Sequence, residues 1–314
     1  VGHLGKHHAR VLNAIPEAEL IGIHDLDSQR GEEISERENV PFFAEAEALM
    51  EKCEAADIVT PTSTHHALGV QAIEAGLHLF VEKPIAKTVE EASDLVRQAR
   101  AKQVVLQVGH IERFNSAVIE LRKMLERPRF IEAHRLTLYS PRVQDIGVVV
   151  DLMIHDLDLI LALVSSEVVR CDAVGVPVLT GFEDIASARI AFEDGCVANL
   201  TASRVSVEPT RRIRIFQRDS YFSVDYQKEE IAVFRKLGPD EDRVWGDPMP
   251  GITHRRIKMN RQEDALTTEL ADFIRCIREA ENPVVSGEDG LRALELAVRV
   301  TEEAQRSLEK DLAI

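Results

Sequence analysis

Residues 1–25 read VGHLGKHHARVLNAIPEAELIGIHD, a glycine turn, a helix, a short apolar run and an acid in that order. A phosphate-cradling turn has the form G-x-G-x-x-G between a strand and a helix, because glycine lets backbone N–H groups approach a pyrophosphate at the helix N-terminus. Gly2 and Gly5 match the second and third glycines, with His3 and Leu4 between them and Val1 as the spacer. The first glycine and its strand would lie upstream of Val1, so the sheet is expected to lack its opening strand. Lys6 to Leu12 reads as a helix start, and Glu19–His24 as a buried strand by length and flanks. That run ends at Asp25, 20 positions after Gly5. An acid there accepts both hydroxyls of an adenosine ribose and repels a 2′-phosphate, which predicts NAD over NADP. The plainer alternative is a glycine-punctuated turn with Asp25 capping a loop.

Outward from this stretch the βα rhythm continues. Ala56–Thr60 reads as a strand broken by Pro61, and Thr62, Ser63 and Thr64 offer N-caps for a helix through Ala75. Leu77–Val81 is the next strand, punctuated by Glu82-Lys83-Pro84. Val89–Ala101 is an amphipathic helix, and Val104–Val108 another strand. Strands alternating with helices predict a doubly wound parallel sheet over a domain at residues 1–112. The pattern then changes. Ile131–Leu138, Ile185–Phe192, Cys196–Arg204, Arg212–Gln217, Tyr221–Asp225 and Ile231–Leu237 read as strands with little helix between them. They predict a second α/β domain, residues 113–314, on a large, mostly antiparallel open sheet. Asp240–Gly251 is a Pro/Gly/Asp-rich loop, and Leu266–Ala280 and Gly290–Leu308 are terminal helices.

Composition bounds the partners. The 314 residues suit about two domains. A net charge of −16 disfavours nucleic acid and anionic membrane surfaces, and 5% aromatics leave little for stacking bases. No apolar run reaches the roughly 18 residues of a membrane span. Cys53, Cys171, Cys196 and Cys276 have no Cys-x-x-Cys spacing, which predicts buried thiols in a reducing cytoplasm.

The segments GHLGKHHARVL (2–12), DIVTPTSTHH (57–66), AGLHLFVEKPIAKT (75–88) and DLMIHDLD (151–158) resemble the glucose–fructose oxidoreductase, inositol dehydrogenase and rhizopine-catabolism (Gfo/Idh/MocA) family. The resemblance runs in order along nearly the whole chain. It implies an N-terminal Rossmann domain joined to a C-terminal α/β domain, and a dehydrogenase acting on CH–OH groups. The segments GHIERFNSAV (109–118), VVVDLMIHDLD (148–158) and residues 201–227 resemble a bacterial branch acting on nucleotide sugars. That implies oxidation of the C3 hydroxyl of UDP-N-acetylglucosamine on the way to a diamino sugar of lipid A, by a homodimer or homotetramer. A free polyol such as an inositol is the competing substrate, and a non-catalytic NAD-binding sensor the competing class. Many family members carry glycine where this chain has Met153, which favours a more continuous helix here.

Oxidising a secondary alcohol needs a proton acceptor, stabilisation of the developing alkoxide and a hydride acceptor. Lys83 follows a parallel strand at its carboxyl end, where open α/β sheets bind ligands. Asp151, His155 and Asp158 fall at i, i+4 and i+7, one helix face, with His155 a candidate base and Asp151 its support. Lys83 and His155 are expected to act on one proton; which of them is the base is open. No extra ligand suggests a metal. The resemblance adds Thr60, Pro61, His65, Glu82 and Arg113 as cofactor contacts, and Asn115 as a substrate contact. Arg204, Arg211 and Arg212 have two readings, a diphosphate clamp or an ion-paired sheet surface. Tyr221 and Tyr226 read as core before they read as a base pocket.

Overall fold

A computed structural model describes residues 1–140, 146–237, 251–259 and 264–312, with side chains through residue 309. The chain divides into two compact units, 1–114 with 262–294, and 115–261 with 295–314. The expected boundary at residue 112 lies close to this division, but 262–294 packs with the first unit rather than the second.

In the first unit three short strands, β1 (Ala55–Ile58), β2 (His78–Glu82) and β3 (Leu106–Gly109), pair in parallel in that order. The helices between them are α4 (His65–Glu74) and α5 (Val89–Lys102). Ahead of the sheet lie α1 (Gly5–Ala14), α2 (Ser28–Glu38) and the single-turn α3 (Ala46–Met50). Asp27 caps α2 by accepting the Arg30 N–H at 3.2 Å, and Thr88 caps α5 through the Glu91 N–H, also at 3.2 Å. The expected strand at Glu19–His24 is not formed. Only Ile23 bridges, in parallel, to Phe42. Ile23 donates to the Pro41 carbonyl at 3.0 Å and accepts from Phe43 at 2.9 Å. The preceding rung would need a donor at Pro41, which has no N–H. The expected capping by Thr62–Thr64 is also replaced. These residues form a 3-10 turn, and the Thr64 hydroxyl donates to the Pro61 carbonyl (2.8 Å) and lies 2.7 Å from the Thr60 hydroxyl.

Residues 262–294 join this unit for clear reasons. Helix α8 (Ala265–Glu279) is capped by Asp264 and places Leu270 and Phe273 in a buried cluster with Val11, Ile15 and Phe80. Val108 donates to the Val285 carbonyl at 3.1 Å, extending the sheet edge beyond β3. Gly287 and Gly290 lie so close to Leu106 and Val108 that an added Cβ would come within 2.5 and 2.6 Å of them. These glycines let the start of α9 (Gly287–Leu312) sit directly on β3.

The second unit is built on an eight-stranded sheet, ordered β11-β10-β9-β8-β4-β7-β6-β5 among the described residues. The strands are β4 (Phe130–Leu136), β5 (Val168–Val176), β6 (Ile185–Phe192), β7 (Val197–Ser203), β8 (Thr210–Gln217), β9 (Ser220–Asp225), β10 (Glu230–Lys236) and β11 (Ile252–Lys258). Every pairing is antiparallel except β4 with β7. Both edge strands escaped the pattern reading. β5 carries Arg170, Asp172 and Gly175 among its valines, and β11 is half charged; such breaks are how exposed edges avoid further pairing. The proposed loop at 240–251 lies outside the described residues apart from Gly251. Helix α6 (Ser116–Met124) and helix α7 (Ile154–Leu163) complete the unit, with a π-turn at Val149–Met153 running into α7. The helix is thus continuous through Met153, as its side chain suggested.

One ion pair fastens α7 to the sheet. Arg135 on β4 grips Asp156 through two hydrogen bonds, Nε–Oδ2 at 2.9 Å and Nη2–Oδ1 at 3.0 Å, and both residues are 2% exposed. The guanidinium also lies 5.7 Å from the centre of the Tyr226 ring. Asp156→Ala would leave a buried guanidinium without its counter-charge and should lower unfolding free energy by about 3–5 kcal/mol. Urea denaturation measures this. Arg135→Met combined with Asp156→Leu should recover most of the loss, and a single-mutant cost under about 1 kcal/mol would show the pair to be dispensable.

Candidate functional site

In the first unit the site is built from the carboxyl ends of β1 and β2 and the start of α1. No side chain caps α1 and its first turn holds no acid. The positive end of the helix dipole is therefore open to a phosphate, with Gly2, His3 and Leu4 as the approach. An added Cβ at Gly2 would meet nothing nearer than Arg30 Nη1 at 3.9 Å, so the turn is uncrowded. Asp25 stands beside this turn, 3.9 Å from Arg30 Nη1, and accepts the Asp27 N–H at 2.9 Å. A glycine turn, an uncapped helix and a carboxylate in this order fit a dinucleotide whose ribose hydroxyls need an acceptor.

The β2 end is held by a cluster that sequence reasoning did not single out. His8 on α1 is 3% exposed, with Nδ1 3.0 Å from Asp57 Oδ2 and Nε2 3.2 Å from Glu82 Oε1. Burial would lower the pKa of its ring, yet Asp57 and then Glu82 outweigh that and raise it to about 10. Glu82 uses its other oxygen, Oε2, to accept the backbone N–H of Lys83 at 3.0 Å. Lys83 is half-buried, and its peptide bond to Pro84 is cis. The signal for His8 lay in GKHHARVL, but a histidine on the buried face of a helix does not reveal its partners.

His65, expected at the cofactor, has internal partners here. It is 1% exposed, and its two ring nitrogens lie 2.9 Å from the carbonyls of Pro84 and Thr60. It ties the loop after β1 to the turn after β2, leaving Thr60 and Pro61 exposed. Arg113 is likewise turned inward, 6% exposed, with Nη2 3.4 Å from Asp289. Burial raises the Asp289 pKa, and Arg113 and Ser286 more than reverse this.

In the second unit the groups of interest stand on the π-turn and α7. Asp151 and His155 are half-buried, whereas Asp156 and Asp158 are 2% and 0% exposed. The lead-in to the turn is anchored by Glu183, Asp184 and Arg204. Val148 donates to the Glu183 carbonyl at 2.9 Å. Gly147 lies flat on the Glu183 carboxylate, where an added Cβ would come within 1.9 Å of Oε1. Arg204 is 3% exposed, 3.0 Å from Asp184 Oδ1, and donates to the carbonyls of Ile146 (2.6 Å) and Glu183 (3.2 Å). Burial would raise Asp184, but the N–H groups of Leu179, Thr180 and Val178 and the Thr180 hydroxyl bring it down to about 2.

Two expected substrate contacts, Arg204 and Asn115, have internal partners in this structure. Arg204 holds the backbone ahead of Asp151 rather than offering an open guanidinium to a diphosphate. Asn115 caps α6, its Oδ1 accepting the Ala117 N–H at 3.0 Å, and its amide points to the Tyr226 carbonyl at 3.5 Å. Asn115 does so because the first N–H groups of α6 need a partner. Arg212 follows the ion-paired reading, 3.6 Å from Asp225, while Arg211 is exposed. Tyr226 is buried, and Tyr221 stacks between Phe216 and Phe234 on the sheet.

Comparison with known proteins agrees with this arrangement. Residues 1–110 match the oxidoreductase family NAD-binding Rossmann fold, and residues 132–309 the C-terminal alpha/beta domain of the same family. The UDP-N-acetylglucosamine 3-dehydrogenase of Acidithiobacillus ferrooxidans is 38% identical over 301 residues, covering 96% of this chain and 94% of that one. A solved structure of that enzyme superposes with a TM-score of 0.92 over 98% of this chain and 96% of that one. The scyllo-inositol 2-dehydrogenase (NAD(+)) of Bacillus subtilis is 26% identical over 322 residues, 96% of this chain and 91% of that one. With both domains matched in order over most of the chain, the chain belongs to the Gfo/Idh/MocA family of NAD-binding oxidoreductases.

Proposed function

We propose that this protein oxidises the C3 hydroxyl of UDP-N-acetylglucosamine to a ketone with NAD. The observation that carries the reading is the 38% identity, over nearly the full chain, to a dehydrogenase named for that substrate. The inositol dehydrogenases, at 26–27% identity, make a free polyol the competing substrate. Purified protein with each substrate, followed by NADH absorbance, separates the two; turnover of inositol alone would overturn the proposal.

NAD, when bound, supplies the hydride acceptor. Gly2, His3, Leu4 and Gly5 receive its pyrophosphate at the α1 start, Asp25 its ribose, and Thr60, Pro61 and Glu82 line the strand ends beside it. The hydroxyl proton leaves to Lys83 or His155, and the C–H hydrogen leaves with its electron pair, so alcohol and NAD become ketone, NADH and a proton. A lysine ammonium stabilises the developing alkoxide, and a carboxylate at Asp151 supports a protonated His155. The product suits a later amination, which places the reaction in the making of a diamino sugar for lipid A. The scattered cysteines fit a cytoplasmic setting. Self-association is supported by the second unit's sheet. Phe130, Phe216, Tyr221, Phe234 and His254 stand half-buried in one row across five adjacent strands, with centroids 4.5–5.7 Å apart. Light scattering on the purified protein should give a dimer or tetramer.

Asp25 should set the nucleotide preference. Leu26 is 94% exposed, so an arginine fits there without repacking. Asp25→Ser with Leu26→Arg should move the NADP/NAD ratio of kcat/KM towards NADP by about tenfold or more, by replacing repulsion of the 2′-phosphate with attraction. An unchanged ratio would place the discrimination elsewhere.

Lys83→Met and His155→Asn should each lower kcat by about 10²–10⁴ while NADH still binds, as read by fluorescence titration. Near-normal turnover in either variant would take that residue out of the reaction.

A further inference from the structure

We propose that His8 is a positioning residue for Lys83: it fixes the carboxylate of Glu82, and Glu82 in turn holds the backbone from which Lys83 projects. This rests on the role given to Lys83 above. Nothing in the reaction itself requires a histidine on α1, yet this one is buried against two carboxylates from two different strands.

The geometry leaves Glu82 no freedom. Oε1 faces His8, Oε2 accepts the Lys83 N–H, and Gly109 of β3 closes the third side, where an added Cβ would come within 2.8 Å of the carboxyl carbon. His8 is itself clamped. Asp57 on β1 takes Nδ1, Glu82 on β2 takes Nε2, and the Phe80 ring meets it edge-on with centroids 5.7 Å apart. Helix α8, packed against α1, places Leu270 and Phe273 in a cluster with Phe80, the ring that meets His8. A neutral imidazole donates one hydrogen and would satisfy one of the two carboxylates; the protonated ring satisfies both. The ring therefore ties the helix that opens at the glycine turn to the two strand ends beside it.

The charge matters as much as the bonds. The folded pKa of His8, about 10, stands above the ordinary 6.5. The stabilisation from its protonated form is thus complete below pH 6.5 and lost as pH rises through about 10. Without that charge, Asp57 and Glu82 are uncompensated, and the negative potential next to Lys83 increases. The Lys83 ammonium then holds its proton to higher pH.

The test compares wild type, His8→Gln and Lys83→Met with NAD and UDP-N-acetylglucosamine across pH. The limb of the kcat profile that Lys83→Met removes is the one reporting Lys83. In His8→Gln that limb should move up by about one pH unit, and kcat should fall about tenfold with KM for the sugar little changed. A loss of stability alone would lower the melting temperature and the active fraction without moving the limb. A folded His8→Gln with an unmoved limb and near-normal kcat overturns the proposal. Near-normal turnover in Lys83→Met overturns instead the reading on which it rests. Should His8→Gln not fold, the wild-type imidazole answers by NMR: a ring still doubly protonated at pH 8 supports the clamp, and one titrating near 6.5 overturns it.

Discussion

A charge removed from water must be repaid by a counter-charge or by hydrogen bonds, and this chain meets that constraint beneath each group assigned to chemistry. His8 with Asp57 and Glu82 lies under Lys83. Asp156 with Arg135 lies next to His155, and Asp184 with Arg204 holds the approach to Asp151. In all three places the reactive side chain is half-buried, while His8, Arg135, Asp156, Asp184 and Arg204 are nearly sealed. Groups placed in this way hold their geometry without a substrate to order them, which is what hydride and proton transfer over short distances demand.

Much of this was legible before any coordinates. The alternation of apolar runs with amphipathic helices marks β1 through β3 and their helices, since each element is bounded by its own punctuation: Pro61, Gly76, Glu82-Lys83-Pro84. Lys83 is visible because a strand end is a position the pattern defines. The strand at Glu19–His24 was misjudged because its composition is right but its partner is not; Pro41 lacks the donor that a second rung needs. β5 and β11 were missed because edge strands are selected to look unlike strands.

Side-chain duties were harder to read, for a reason particular to each residue. His65, Asn115 and Arg204 belong to polar types that serve equally as ligands or as internal fasteners, and the choice depends on backbone carbonyls and amides that no motif records. Asp156 adjoins a candidate base, yet its partner Arg135 comes from a strand 21 residues earlier. His8 needs two acids from two strands, both inside stretches already noted for other purposes.

The strand order of the large sheet has a consequence for how it assembles. β5, β6 and β7 form one run of neighbours, and β8 through β11 another, so each can zip up from local turns. Only β4 joins them, parallel to β7 on one side and antiparallel to β8 on the other. It is synthesised before either run, yet it has no sheet partner until β7 is made and only one until β8 follows. Non-local pairings of this kind pay their loop entropy late, and they set folding rates more than local hairpins do. Two hairpin-rich halves joined only through β4, whose penultimate residue is Arg135, make its pairing the step expected to be slow and non-local in folding this unit.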